Sequence, residues 1–171
     1  MMNNAAAQPI WDFVLGYYRQ AGVSEAAIAL QDSAGIDVNM ILFLMWLAGS
    51  KRTLAVDDVK RVGETSHAWQ RQVVIPIRAI RRLLKENAPL VPQPTALEYR
   101  KKIQALEIEG EQLQLNAMAG LMAGLKSGSA QTAGDAARTN LAAFATVTGK
   151  PFPPAAVDAF VRALKEAVHE N

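Results

Sequence analysis

The run VNMILFLMWLA, Val38 to Ala48, holds one polar side chain, Asn39, among eleven residues. A helix apolar nearly all round has no face to offer water, so other parts of the chain must surround it. Eleven residues fall well short of the ~20 needed to cross hydrocarbon, which makes this a buried core helix and not a membrane span. Asp37 stands where an N-cap accepts from the orphan amides of the first turn, and Gly35 and Gly49 punctuate the two ends. The spacing therefore predicts an all-α fold, a helical bundle built around this central apolar helix.

Upstream, Ile10, Phe13, Val14, Tyr17 and Tyr18 recur at three- and four-residue intervals after Pro9 and end at Gly22. That is one apolar stripe of a helix begun by proline. Ser24 is placed to cap a short Ala-rich helix reaching about Ala34. Downstream, Asp57 or Asp58 should start a long helix to about Glu86, with Val59, Val62, Trp69, Val73, Ile77, Ile80 and Leu84 buried. Pro76 inside that pattern removes a backbone donor and crowds the preceding turn, which predicts a kink near Gln72 to Ile75. Pro89, Pro92 and Pro94 mark a helix-free connection. From Thr95, placed as a cap, a helix reaching about Lys126 packs through Ile103, Leu106, Gly110, Leu113, Ala117 and Leu121. Residues 127–134, rich in Gly, Ser and Ala, read as a flexible linker between a helical bundle domain, 9–126, and a two-helix C-terminal extension, 135–170, that either packs back on it or supports self-association.

Composition removes several chemistries. The chain of 171 residues has no cysteine and two histidines, His67 and His169, so thiolate catalysis, disulfides and the usual zinc, iron–sulfur and attached-haem ligand sets are missing. There is no Gly-rich phosphate loop and no dinucleotide fingerprint, and no cofactor is expected. Met1 to Gln8 lacks the basic and apolar blocks of a secretory signal, which makes the cytoplasm the expected setting. Net charge is +2, distributed as −3 over residues 1–50, +7 over 51–102 and −2 over 103–171. An electrostatic partner should therefore meet the middle of the chain.

Trp11-Asp12-Phe13, Leu30-Gln31-Asp32, Gly35-Ile36-Asp37-Val38-Asn39, Leu42-Phe43 with Trp46, Trp69, Pro76-Ile77-Arg78 with Arg81-Arg82, Lys85, and Leu106 to Glu111 together resemble a family of small bacterial proteins of unknown function. The resemblance spans about Trp11 to Leu115 and leaves the tail unmatched. It implies a shared helical fold and cytoplasmic setting, and it supplies no catalytic residues.

Two groups of residues carry the functional expectations. Gln31, Asp32, Asp37 and Asn39 cluster around Gly35, where carboxylates and an amide could hold Mg²⁺ and through it a diphosphate. Capping by Asp37, a turn closed by Asp32 and backbone satisfaction by Gln31 and Asn39 explain the same residues as a buried polar network. Arg81 belongs with that network, reaching Asp32 or Asp37 as a partly buried charge pair. On the long middle helix Lys60, His67, Arg71, Arg78, Arg82 and Lys85 fall on one side at 100° per residue, opposite Val62, Trp69 and Ile80. Arg71, Arg78, Arg82 and Lys85 are the candidate partner-binding residues, and a solvated face is the plainer explanation of the same stripe. An acidic protein segment is the expected partner. Nucleic acid and anionic lipid rank below it, since no aromatic residues alternate with the arginines to stack bases.

Glu107, Glu109 and Glu111 lack the nearby His of a di-metal motif and are expected to face solvent. Ser66 and His67 are sequence neighbours that do not face each other, so they form no nucleophile and base pair. Trp11, Trp46, Trp69, Tyr17 and Tyr18 could line a pocket, although core packing explains their helical spacing. The expected function is a non-enzymatic binding or accessory protein presenting the basic helix face to an acidic partner, with self-association through the C-terminal helices possible. The competing class is a helical enzyme or carrier for a phosphorylated or isoprenoid-like ligand at the Gln31–Asp32–Asp37–Asn39 cluster.

Overall fold

The computed structural model describes residues 9–86 and 90–169, without the side chains of Glu86 and His169. Expectations for Met1 to Gln8, for Asn87 to Pro89 and for Glu170 fall outside them, as does the His169 side chain. The elements are α1 (Ile10–Tyr17), α2 (Val23–Ala34), α3 (Val38–Gly49), β1 (Arg52–Thr53) and α4 (Val56–Trp69). A π-turn (Gln70–Val74), α5 (Ile75–Glu86), α6 (Gln93–Leu121), a 3-10 turn (Met122–Gly124), β2 (Gly128–Ser129), α7 (Ala133–Thr148) and α8 (Pro154–His169) follow. The fold is all-α, with only the two-residue pairing of β1 and β2 as sheet among the described residues.

The central helix is where its sequence requires it. Met40 to Met45, Leu47 and Ala48 are all buried, and Trp46 is half-buried with its ring 6.1 Å from that of Phe43. Asp37 caps α3, its Oδ1 accepting from the Asn39 amide at 2.9 Å. Gly35 and Gly149 end α2 and α7 at φ of 63° and 66°, left-handed backbone that a Cβ would strain. Gly49 is instead the last residue of α3, packed near Phe13 and Leu164. Caps differ from expectation elsewhere too: Gly22 precedes α2 and Pro92 precedes α6, so neither Ser24 nor Thr95 is an N-cap.

The most extensive neighbour of α3 is α7. Ala136, Ala137, Leu141 and Phe144 of α7 and Phe160, Val161 and Leu164 of α8 share one core cluster with α1 to α4. The stretch predicted to be a flexible linker is tied down at residues 128–130. β2 pairs antiparallel with β1, Arg52 opposite Ser129, and the Ala130 amide donates to the Lys51 carbonyl at 2.9 Å. No helix among the described residues is long and apolar enough to cross a membrane.

Candidate functional site

The kink expected before Pro76 is a π-turn, in which the Ile75 amide donates to the Gln70 carbonyl five residues back. Its effect is on phase. The inward positions run Val62, Ser66, Gln70, Val74 and Arg78, four residues at each step. In a regular α-helix each such step overshoots a turn by about 40°, so Arg78 would end roughly 160° from Val62. The π-turn absorbs one residue, about 100° of that drift. Arg78 and Arg81 therefore turn toward α6, while Trp69 and Ile80, expected in the core, are 37% and 47% exposed.

What Arg78 meets is a set of acceptors converging from two helices. Its Nε donates to Glu107 Oε1 at 2.8 Å, Nη2 to Glu111 Oε1 at 2.8 Å and Nη1 to Gln31 Oε1 at 3.0 Å. Arg81 does not reach Asp32 or Asp37. It donates through Nε to Glu107 Oε2 and through Nη2 to Glu107 Oε1, because α6 lies along α5 and places Glu107 against it. Glu107, expected in solvent, is 5% exposed. Burial works to raise its pKa, but hydrogen bonds from Arg81 and Arg78 and their charges hold the carboxyl below the usual range. Glu111 goes the other way, pushed up by burial and by Glu107 against the pull of Arg78.

A second network lies beside the first. Asp37 Oδ2 accepts from Ser66 Oγ at 2.8 Å and from Gln114 Nε2 at 2.9 Å, and Gln114 Oε1 accepts from Asn39 Nδ2 at 2.7 Å. Both Asp37 oxygens are thereby committed inside the fold, and burial raises its pKa despite the Ser66, Asn39 and Gln114 hydrogen bonds. A diphosphate-bearing magnesium ion would need those oxygens. No group of three His, Cys, Asp or Glu among the described residues could hold a metal.

Ser66 and Gln114 were missed as network members, yet their spacing marks them. Ser66 continues Val59 and Val62, and Gln114 continues Ile103, Glu107 and Gly110, all buried. The apolar residues Leu106 and Leu113 beside that second stripe drew attention from it.

Arg71, Arg82 and Lys85 are exposed, and none has an acidic partner among the described residues. Arg78 leaves their company, and Lys60 lies 4.0 Å from Glu64. Arg82, exposed His67 and exposed Asp32 line a cleft of about 400 Å³ together with Gln31, Gln70 and Arg78. Gln31, Gln70 and Arg78 also border a second pocket of about 320 Å³ that includes Trp11 and Tyr18. Gln70 is 7% exposed, and its Oε1 has no hydrogen-bond partner among the described residues. Tyr17 is core, its hydroxyl donating to the Phe160 carbonyl at 2.8 Å. Trp69 packs over α6, its Nε1 donating to the Gly110 carbonyl at 3.0 Å.

This arrangement is a helical bundle in which Arg78 and Arg81 are neutralised internally while Arg71, Arg82 and Lys85 are exposed without an ion pair among the described residues. A family profile matches residues 9–118, and the chain belongs to that family, described as proteins of unknown function (DUF2390). Comparison with curated proteins found no match, and neither did comparison with solved structures.

Proposed function

We propose that the chain is a non-enzymatic binding protein that receives an acidic segment of a partner protein on the exposed basic residues of the π-turn and α5, Arg71, Arg82 and Lys85. The observation that carries this reading is selective neutralisation. Arg78 and Arg81 are paired with Glu107 and Glu111, whereas Arg71, Arg82 and Lys85 on the same continuous helix are exposed and make no ion pair among the described residues. Exposed guanidinium groups take carboxylates in a bidentate fork, and the cleft beside Arg82 offers a recess for one acidic side chain. Asp32 lines the same cleft and opposes an incoming carboxylate, which favours partners that bring a donor to it.

The test uses a fluorescein-labelled octaglutamate peptide, with duplex DNA and anionic vesicles as parallel arms. The peptide should bind with an affinity that falls as salt rises. Reversal of all three charges, Arg71→Glu with Arg82→Glu and Lys85→Glu, should weaken it by more than about tenfold without shifting the melting temperature. Equal binding by the reversed variant, or stronger capture of DNA or vesicles than of the peptide, would refute the proposal.

A further inference from the structure

α5 and α6 form an antiparallel hairpin, and apart from the π-turn α5 has no other extensive neighbour. The hairpin leaves a row of large apolar side chains in water. On α6, Tyr99, Leu106 and Leu113 follow one another at seven-residue spacing and are 54%, 51% and 53% exposed. Ile80 of α5 is exposed as well, and a groove of about 530 Å³ runs between the half-exposed Trp69 ring and Leu113, Ala117 and Leu121. Three large apolar side chains exposed in register along a helix of 29 residues are unusual for a surface that stays in solvent.

We infer that this strip is the interface of a homodimer, in which two α6 helices pack antiparallel about a two-fold axis at Leu106 and the two hairpins make a four-helix bundle. Charge placement favours a second copy over any other occupant. Lys102 lies four residues before Leu106 and Glu109 three residues after it, and both are exposed with no ion-pair partner among the described residues. At 100° per residue they stand about 40° and 60° from Leu106 on the same flank. A two-fold axis between antiparallel helices brings like flanks together and reverses the chain direction. Each Lys102 then meets the partner's Glu109 with an axial offset of about 1.5 Å, twice per dimer, while Leu106 meets its own copy and Tyr99 meets the partner's Leu113. The exposed basic residues stay free, since Ile80 and Arg82 project about 160° apart around α5. Most large apolar residues of α7 and α8, among them Leu141, Phe144, Phe160 and Leu164, lie in the core.

Analytical ultracentrifugation up to about 100 µM, where micromolar association is complete, decides the matter. The full chain should sediment as a dimer, and Leu106→Glu as a monomer with unchanged helicity and melting temperature. Lys102→Glu alone and Glu109→Lys alone should each weaken the dimer by about tenfold. The double swap should restore it, and an equimolar mixture of the two single variants should form a heterodimer. A monomeric wild-type chain, an undiminished Leu106→Glu dimer, or a double swap as weak as the single variants would overturn the inference. None of these results depends on the acidic peptide, so this proposal and the binding proposal stand or fall separately.

Discussion

Glu107 accepts hydrogen bonds from two arginines at once while 5% exposed, with both guanidinium groups themselves largely out of water. Removing its charge leaves Arg78 with Glu111 and Gln31 but leaves Arg81 with no acid. Glu107→Gln, which keeps the shape, should therefore destabilise the protein by about 3 kcal/mol at neutral pH, the cost of an uncompensated buried charge. The pH dependence follows from the depressed Glu107 pKa. A group whose folded pKa lies below its unfolded value of about 4.3 contributes stability that is complete above that value and is lost as pH falls through the folded pKa. Urea midpoints of wild type and variant should thus differ most near pH 7 and converge below about pH 4. Asp37, whose raised pKa carries the opposite sign, is present in both proteins and cancels in the difference, whereas Glu111 is relieved in the variant of the upward push from Glu107, which narrows the neutral-pH gap without reversing its sign. A gap that widened in acid would contradict the assignment. Arg81 was legible as a partly buried cation because it sits off the basic stripe. Its acid was not, because Glu107 alternates with Glu109 and Glu111 in one stretch, and sequence does not mark which of the three carboxylates is buried.

The same limit operates on whole elements. Period and punctuation located every helix, yet the phase of α5 depends on one residue absorbed at Gln70–Val74, which periodicity read at a constant 100° cannot register. Pro76 announced a disturbance but not its direction, so Arg78 was assigned to the outer face and Ile80 to the core. Asn140 shows the complementary case, in which one polar residue within an Ala-rich helix holds three elements. It is fully buried, its Nδ2 donating to the Leu44 carbonyl at 3.2 Å and the Arg52 carbonyl at 3.0 Å, while its Oδ1 accepts from the Leu54 amide at 3.0 Å. Asn140→Ala leaves the buried Leu54 amide without its acceptor and takes a donor from the Leu44 and Arg52 carbonyls, the first of which keeps its bond within α3. We expect a loss of about 1–3 kcal/mol, the cost of one unsatisfied buried group, read as a lower urea midpoint. Hydrogen exchange at the Leu54 amide should accelerate in step. An unchanged midpoint with a protected Leu54 amide would show that Asn140 is not the fastener.

At the scale of the whole molecule, the family match ends at Met118, whereas the enclosure of α3 does not. A sequence boundary at the Gly- and Ser-rich stretch separates residues 9–126 as a unit, since flexible composition is the only cue available there. Packing crosses that boundary. Leu141 and Phe144 of α7 lie in the same cluster as Ile41, Leu44, Met45 and Ala48, and β2 fastens the crossing to β1. Burying one such large apolar side chain is worth about 1.5–3 kcal/mol, so removing α7 and α8 forfeits several of these contributions and opens one side of a helix that has no polar face. That loss is comparable with the entire stability of a domain, about 5–15 kcal/mol. A chain ending at Lys126 should accordingly keep far-UV helicity, lose near-UV ellipticity, melt without a cooperative transition and bind anilinonaphthalene sulfonate, the signature of a bundle without fixed packing. A sharp thermal transition in that shortened chain, with no dye binding, would mean that α1 to α6 enclose the Val38–Ala48 run on their own and that α7 and α8 are dispensable for the fold.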